Sequence, residues 1–149
     1  MIEVSAGVSV GTDEEAAYAA LTDLEHATWL PGVTRLRHLD GPAGGVGGRY
    51  RVEASMLGRH LEGVLVCTEA VRPQRTTVAL EDGIELSITA TVSAAAEGCR
   101  VELRSRYSVG GGFAGRAVER ASALQARREV VRAAERFASQ FDRAAGGRG

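Results

Sequence analysis

Lysine is absent from this sequence, and all 18 basic side chains other than histidine are arginines. A Schiff base, a lysine general base and the lysine of a P-loop each need a primary amine, so these three kinds of site are excluded. The glycines between Gly44 and Gly48 do not form a phosphate loop, because they lack the Gly-x-Gly-x-x-Gly spacing and precede a strand instead of a helix. Nucleotide binding is therefore not expected.

Cysteine is scarce. Only Cys67 and Cys99 occur, and neither belongs to a Cys-x-x-Cys pair or has a histidine nearby. Both are interpreted as reduced, buried, small hydrophobic residues. The histidines, His26, His38 and His60, stand at no spacing typical of metal ligands. We expect no metal and no cofactor.

Long hydrophobic runs are also lacking. No window approaches the ~18 uncharged apolar residues of a membrane span, and no basic segment followed by an apolar stretch opens the sequence. These absences predict a cytoplasmic protein without a membrane span or signal peptide. A length of 149 residues predicts a single domain over residues 1–149, large enough to bury a core without disulfides.

One string, GVSVG over residues 7–11, matches the Gly-x-Ser-x-Gly pattern of serine hydrolases. That pattern needs its serine on a sharp turn between a strand and a helix. Here apolar and polar residues alternate through Ser9, which predicts an outward position on an edge strand. Thr12 with Glu15 three residues later is typical of a capping box, so the helix is predicted to begin at residue 13, past the serine. Ser9 is therefore not interpreted as a nucleophile.

The spacing of apolar residues is typical of strands in some segments and of helices in others. The chain begins with a strand, which is followed by a helix over residues 13 to about 22 and by a second short helical piece, DLEHATWL. Six β-rich runs then follow, and turn residues separate them. From residue 113 to about 145 the apolar spacing becomes helical. The six runs are VTRLRHLD, RYRVEASMLG, HLEGVLVCTEAV, RTTVALED, IELSITATVSA and CRVELRSRYSV.

This order predicts an α+β fold. Six consecutive strands with short turns form an antiparallel meander, and the sheet must bury its apolar face against another element. Only the terminal helix is long enough to cover it. The helix residues predicted at apolar spacing are Ala117, Ala121, Leu124, Val131, Ala134, Ala138 and Phe141.

Three segments carry a resemblance to a known family: DEEAAYAALTDLEHATWLPGV near the start, GGVGGRYRV opening the third strand and VRPQR closing the fourth. With the order of elements, they resemble the START-like (SRPBCC) polyketide cyclase/dehydrase superfamily over nearly the whole chain. The resemblance implies a helix-grip fold, in which a curved antiparallel sheet of about seven strands wraps around the long C-terminal helix, with two short helices between strands 1 and 2. It also implies a deep, mainly apolar cavity of a few hundred Å³ or more for a hydrophobic or polycyclic ligand.

Two tyrosines are predicted to face this cavity. Tyr50 alternates with Val52 and Met56, and Tyr107 alternates with Leu103, so each set shares one face of its strand. A phenol there can donate a hydrogen bond to an enolate or act as a general acid. A core tyrosine whose hydroxyl reaches the surface is the alternative. Both tyrosines are candidate catalytic residues, and the three apolar residues are candidate ligand contacts.

The helical segments supply the other candidates. Trp29, the single tryptophan, lies where the family has its pocket mouth, either as an aromatic wall for the ligand or as a plug between the short helices and the sheet. His26, three residues before it, is the third catalytic candidate. Phe113 and Leu124 of the long helix complete the predicted ligand contacts.

In related cyclases, catalysis is attributed to a buried arginine and tyrosine. Arg104 and Arg106 alternate onto the face opposite Tyr107, which leaves Arg35 or Arg37 as the candidate for that role. The leading hypothesis is a metal-independent cyclase/dehydratase of natural-product biosynthesis. The alternative is a non-catalytic carrier or sensor of a lipid, quinone or hormone-like ligand.

The terminal helix also carries arginines at i, i+4 spacing. They form either a solvated outer face or a basic stripe for an acidic partner such as an acyl carrier protein. No aromatic residues interleave with them, so nucleic acid is not an expected partner. The expected oligomeric state is a monomer or a homodimer. The stripe consists of Arg116, Arg120, Arg128, Arg132 and Arg136.

Overall fold

A computed structural model of the chain describes residues 2–30, 32–56, 59–83, 85–108 and 112–146, without the side chains of residues 56, 59, 112–122 and 143–146. The strands and helices follow the predicted order. They are β1 (Ile2–Val10), α1 (Glu14–Thr22), a 3-10 turn (Leu24–His26), β2 (Val33–Asp40), β3 (Arg49–Met56), β4 (Arg59–Val71), β5 (Arg75–Leu80), β6 (Glu85–Ala95), β7 (Gly98–Ser108) and α2 (Gly112–Gly146).

The strands form one antiparallel sheet with the order β1-β7-β6-β5-β4-β3-β2. Strands β2 to β7 are the predicted meander. β1 joins its far end beside β7, where Ile2 pairs with Tyr107 and Val10 pairs with Cys99. The α+β prediction and the helix-grip architecture are confirmed.

β1 lies at one edge of the sheet and exposes every second residue. Ser9 is exposed, whereas Val10 is 1% exposed and belongs to the core. The strand runs through Ser9 without the sharp turn that a nucleophile elbow needs. The interpretation of Ser9 as an outward strand residue is confirmed.

The start of α1 differs by one residue from the prediction. Asp13 is the N-cap, and its carboxylate accepts a hydrogen bond from the Ala16 amide at 2.7 Å. This amide is the third of the helix, which is the donor that a capping side chain satisfies. Thr12 is therefore not the cap, because an acidic side chain at the next position reaches the same free amide groups.

The second short helix is a single 3-10 turn and does not extend over the whole DLEHATWL segment. Beyond this turn, Trp29 and Leu30 are buried, and the Leu30 amide donates to the carbonyl of Ala27 at 3.2 Å. Pro31 follows in the sequence, and the residue before a proline is disfavoured in a helical conformation. The helical pattern is therefore shorter than predicted.

α2 packs on β1 and β7 and buries a face that differs in part from the predicted one. Leu124 is 61% exposed and Val131 is 37% exposed, so the apolar stripe predicted through these two residues is wrong. Ala117 and Ala121 lie outside the described side chains. Alanine on several faces of the helix explains the error, because it leaves the apolar stripe poorly defined. The buried face consists of Val130, Ala133, Ala134, Phe137 and Ala138.

No helix among the described residues combines the length and the apolar character of a membrane span.

The buried face of α2 gives a direct stability test. Phe137 is 0% exposed, so we expect Phe137→Ala to lower the free energy of unfolding by about 3–5 kcal/mol, through lost apolar contact and the cavity left behind. Leu124→Ala, on the exposed side of the same helix, is the matched control and should change it by less than about 0.5 kcal/mol. Urea denaturation measures both, and equal losses would contradict the observed orientation of α2.

Candidate functional site

A small pocket lies on the concave face of the sheet, beneath α1 and the segment that follows it. The volume that the centre of a water molecule can occupy there is about 20 Å³, which is room for about one water. A cavity of the expected size is therefore not open in this pocket. The apolar part of the lining includes Leu21, Leu24 and Leu30 on the helical side and Val78, Ile88 and Ala90 on the sheet.

Tyr50 lines this pocket from β3. The alternation of the strand turns Tyr50, Val52 and Ala54 to the concave face, and Tyr50 is 1% exposed. Its hydroxyl oxygen accepts a hydrogen bond from the Gly44 amide at 2.9 Å. Among the described residues none accepts the hydroxyl proton, so this phenol can donate it to a bound molecule.

The loop between β2 and β3 holds the Tyr50 hydroxyl in place. Gly44 and Gly47 have φ angles of 73° and 89°, a backbone region that side-chain-bearing residues rarely adopt. The loop is tied to β4 because the Gly47 amide donates to the Cys67 carbonyl, and the Cys67 amide donates to the Gly48 carbonyl, both at 2.9 Å. The glycines therefore allow a backbone amide to reach the phenol.

Two other polar side chains of the described lining have hydrogen-bond partners. The Thr22 hydroxyl donates to the Tyr18 carbonyl at 3.0 Å, and the Cys67 thiol donates to the Glu69 carbonyl at 3.4 Å. The part of the lining that the structure describes contains no carboxylate and no imidazole side chain. The pocket thus offers a phenol donor but no evident general base.

Trp29 both lines the pocket and closes it. The indole is 3% exposed, and its ring packs edge to face on Phe137 of α2, with the ring centroids 5.2 Å apart. Trp29 thus contacts the pocket on one side and α2 on the other, and its role as an aromatic wall for a ligand stays a prediction. An indole has the area for both contacts.

Tyr107 does not line the same pocket. It is 4% exposed and lies on β7, next to Ile2 on β1 and Leu86 on β6. Four strand positions separate β7 from β3 in the sheet, about 19 Å along its surface at the usual strand spacing. Leu103 and Val52 are buried on the inner face without lining this pocket. The structure therefore does not bring the two candidate tyrosines together here.

His26 and Leu124 lie on the surface. The His26 side chain is 81% exposed, and its Nδ1 lies 3.0 Å from a carboxylate oxygen of Asp23. The hydrogen bond to Asp23 raises the pKa of His26. Neither His26 nor Leu124 belongs to the pocket lining. The side chains of Met56 and Phe113 lie outside the described residues.

The arginine candidates also point away from the concave face. Arg104 and Arg106 are exposed, as the alternation of β7 predicted. Arg35 and Arg37 are exposed on β2, so the suggestion that one of them replaces the family's buried arginine is wrong. The bulges of β2 made its inner face ambiguous in the sequence.

One group on the outer face has the composition of a metal site. Ligand atoms of Glu53, His60 and Glu62 lie within 4.8 Å of one another. Glu53 and Glu62 pair across β3 and β4, so no spacing along the sequence signals this group. Exposed carboxylates often cluster without a metal, and the expectation of a metal-free protein stays a prediction.

The pocket residues that sequence reasoning missed come from several strands. Cys67, Thr76 and Val78 lie on β4 and β5, and Ile88 and Ala90 lie on β6. The alternation of these residues was visible in the sequence. The part of each strand that lies beneath α1 depends on the register between neighbouring strands, and the sequence did not define that register.

The chain is similar to a known family of proteins. Residues 1–142 match the sequence model of the family described as polyketide cyclase/dehydrase and lipid transport. Among curated proteins, none matches the chain at a significant level.

Solved structures share the fold. A protein from Thermus thermophilus matches with a TM-score of 0.80 at 19% identity, over 95% of this chain and 98% of the other. A START superfamily protein from Mycobacterium smegmatis matches at 0.73 and 15% identity, over 93% and 97%. The di-domain ARO/CYC protein BexL of the BE-7585A biosynthetic pathway matches at 0.66 and 18%, over 91% of this chain and 46% of its own. At these identities the likeness concerns the fold alone.

The glycine loop can be tested with a matched pair of variants. A Cβ atom at Gly44 would lie 3.2 Å from Thr22 Cβ, whereas one at Gly47 would have nothing within 4 Å. Both alanine variants bear the cost of a positive φ, about 1–2 kcal/mol. We expect Gly44→Ala to lose about 1 kcal/mol more, because displacement of the loop breaks the bond to Tyr50. Urea denaturation measures the difference, and equal stabilities would show that this bond survives.

Proposed function

Because the chain belongs to the family described as polyketide cyclase/dehydrase and lipid transport, we propose that residues 1–149 form one domain that binds a hydrophobic or polycyclic small molecule on the concave face of the sheet. The apolar lining beneath α1 supports this ligand class. The Tyr50 hydroxyl, held by the Gly44 amide, is a polar feature of the described lining that would orient such a ligand.

The reaction we propose is cyclisation or dehydration of a polyketone without a metal. When a ketone forms an enolate, negative charge develops on its oxygen, and a fixed hydrogen-bond donor stabilises that charge. The Tyr50 proton is available for this role because no described residue accepts it, while the Gly44 amide fixes the hydroxyl oxygen in position. This arrangement is the observation that carries the enzymatic proposal.

A carrier or sensor of a lipid, quinone or hormone-like ligand is the second candidate. Cyclisation requires removal of a proton from carbon, and the described lining holds no carboxylate or imidazole for that step. A carrier needs an apolar pocket and one orienting hydrogen bond, which are the features present. Tyr50 then contributes affinity alone.

Under either proposal the pocket must widen. A space of about 20 Å³ cannot hold a polycyclic molecule, so the ligand has to displace part of the covering segment. Trp29 is the side chain that stands between this pocket and α2. Separation of the Trp29 ring from Phe137 would enlarge the pocket toward α2.

The partner proposals concern α2. Arg128, Arg132 and Arg136 are exposed on the helix, which supports a basic stripe that receives an acidic acyl carrier protein in the cytoplasm. Such a partner would deliver the polyketone as a tethered chain. A monomer and a homodimer both remain compatible with this stripe.

Tryptophan fluorescence tests ligand binding, because Trp29 is the only tryptophan. Titration with emodin, a polycyclic ketone, should quench and shift its emission with one-to-one saturation, since binding displaces the indole from Phe137. His26→Ala changes an exposed side chain that does not line the pocket and should bind identically. Absence of any saturable response to emodin and to an apolar dye would contradict both proposed functions.

The Tyr50→Phe variant separates the two functions. A synthetic linear triketone is supplied, and its aromatisation is followed by absorbance. For an enzyme, Tyr50→Phe should lower turnover about 100-fold with little change in affinity, because an oxyanion donor is lost. For a carrier, the wild-type protein should not accelerate the reaction, and the variant should weaken emodin binding by about 1 kcal/mol, the loss of one hydrogen bond.

A further inference from the structure

A cleft on the outer face of the sheet is lined by three arginines and one glutamate. Arg35 and Arg37 come from β2, and Arg51 and Glu53 come from β3. Strand register pairs Arg37 directly with Arg51 and Arg35 with Glu53. The cleft offers about 120 Å³ to the centres of water molecules, which is several times the free space in the concave pocket.

Several other arginines of the sheet form ion pairs with carboxylates. Arg49 contacts Asp40 and Glu81 at 2.8 and 2.9 Å. Arg75, Arg104 and Arg106 likewise contact acidic side chains. Within the part of the chain that the structure describes, no ion pair involves the cleft's three guanidinium groups.

The cleft also holds like charges close together. Residues directly opposite each other on antiparallel strands have Cβ atoms about 4.5–5.5 Å apart, and like charges in such a pair destabilise the sheet. The Arg37 and Arg51 pair is therefore unfavourable unless an anion lies between the two side chains. Register shifts between Val33 and Arg35 and between His38 and Asp40 flank the pair, and such bulges redirect neighbouring side chains.

We propose that this cleft binds a doubly charged oxyanion, the phosphate group of a phosphate monoester. Guanidinium groups match phosphate oxygens in a bidentate geometry. Three arginines and Glu53 leave a net charge of +2, which a phosphate dianion neutralises. The Glu53 carboxylate lies near His60 and Glu62, on the β4 side of the cleft.

Binding is tested with methyl phosphate, at constant ionic strength, by chemical-shift changes in amide NMR spectra. Wild-type protein should show saturable shifts in β2 and β3. Arg37→Gln and Arg51→Gln should each weaken binding at least about tenfold, because each removes charge-assisted hydrogen bonds. Arg104→Gln, which alters an exposed arginine that has acidic partners, is the matched control and should bind as the wild type does.

The charge of the ligand provides a second readout. A phosphate monoester loses its second proton near pH 6, so its affinity should fall when the pH is lowered from about 7.5 to about 5. Sulfate remains doubly charged over that range and serves as the reference, so the affinity for methyl phosphate should fall relative to the affinity for sulfate. No saturable shifts in the wild type, or equal losses in Arg37→Gln and the Arg104→Gln control, would overturn the proposal.

The phosphate group can belong to a free metabolite or to a lipid headgroup. Co-sedimentation with vesicles of phosphatidylcholine containing phosphatidic acid distinguishes these sources. Methyl phosphate binding without vesicle binding identifies a free ester, and vesicle binding that Arg37→Gln abolishes identifies a headgroup. Vesicle binding that persists in Arg37→Gln, together with no methyl phosphate binding, would contradict a site in this cleft.

Discussion

The edge-to-face contact between Trp29 and Phe137 joins the two bodies that cover the concave face of the sheet. α2 covers the β1 and β7 side, while α1 lies over β5 to β7 and the 3-10 turn contacts β2 at the other edge. A curved sheet of this width leaves an apolar surface that one helix does not cover. Trp29 also lines the pocket that Tyr50 faces, so the shape of this pocket depends on where the indole and the phenyl ring meet.

Much of the fold follows from local sequence patterns. The alternation of β1 continues through Ser9, and the turns between the later strands are short. The positions of the strands and the pairing of consecutive strands could therefore be predicted directly. The N-cap of α1 and the buried face of α2 were harder to predict, because in each case several residues suit the same position. Thr12 and Asp13 are both good caps, and only the structure shows that Asp13 reaches the Ala16 amide. Alanine on several faces of α2 likewise concealed the packing of Phe137.

Within the candidate site, the sequence predicts only those features that follow from the alternation of side chains along a single strand. Tyr50 faces inward because of alternation within β3, whereas its partner Gly44 depends on three-dimensional loop geometry that no spacing reveals. The separation of Tyr50 from Tyr107 arises from strand order across the sheet. The arginine cleft has the same origin, because Arg37 and Arg51 meet only through the register of β2 and β3.

The pairing of β1 with β7 has a consequence for the order in which the protein folds. Ile2 pairs with Tyr107, so this ladder closes a loop that contains most of the chain. During synthesis β1 leaves the ribosome first and has no partner strand until β7 has followed it. Pairs of such long sequence separation form slowly, and an unpaired apolar strand is open to association with other chains in the meantime. We therefore expect the closure of the sheet by β1, and the docking of α2 on it, to be late events in folding.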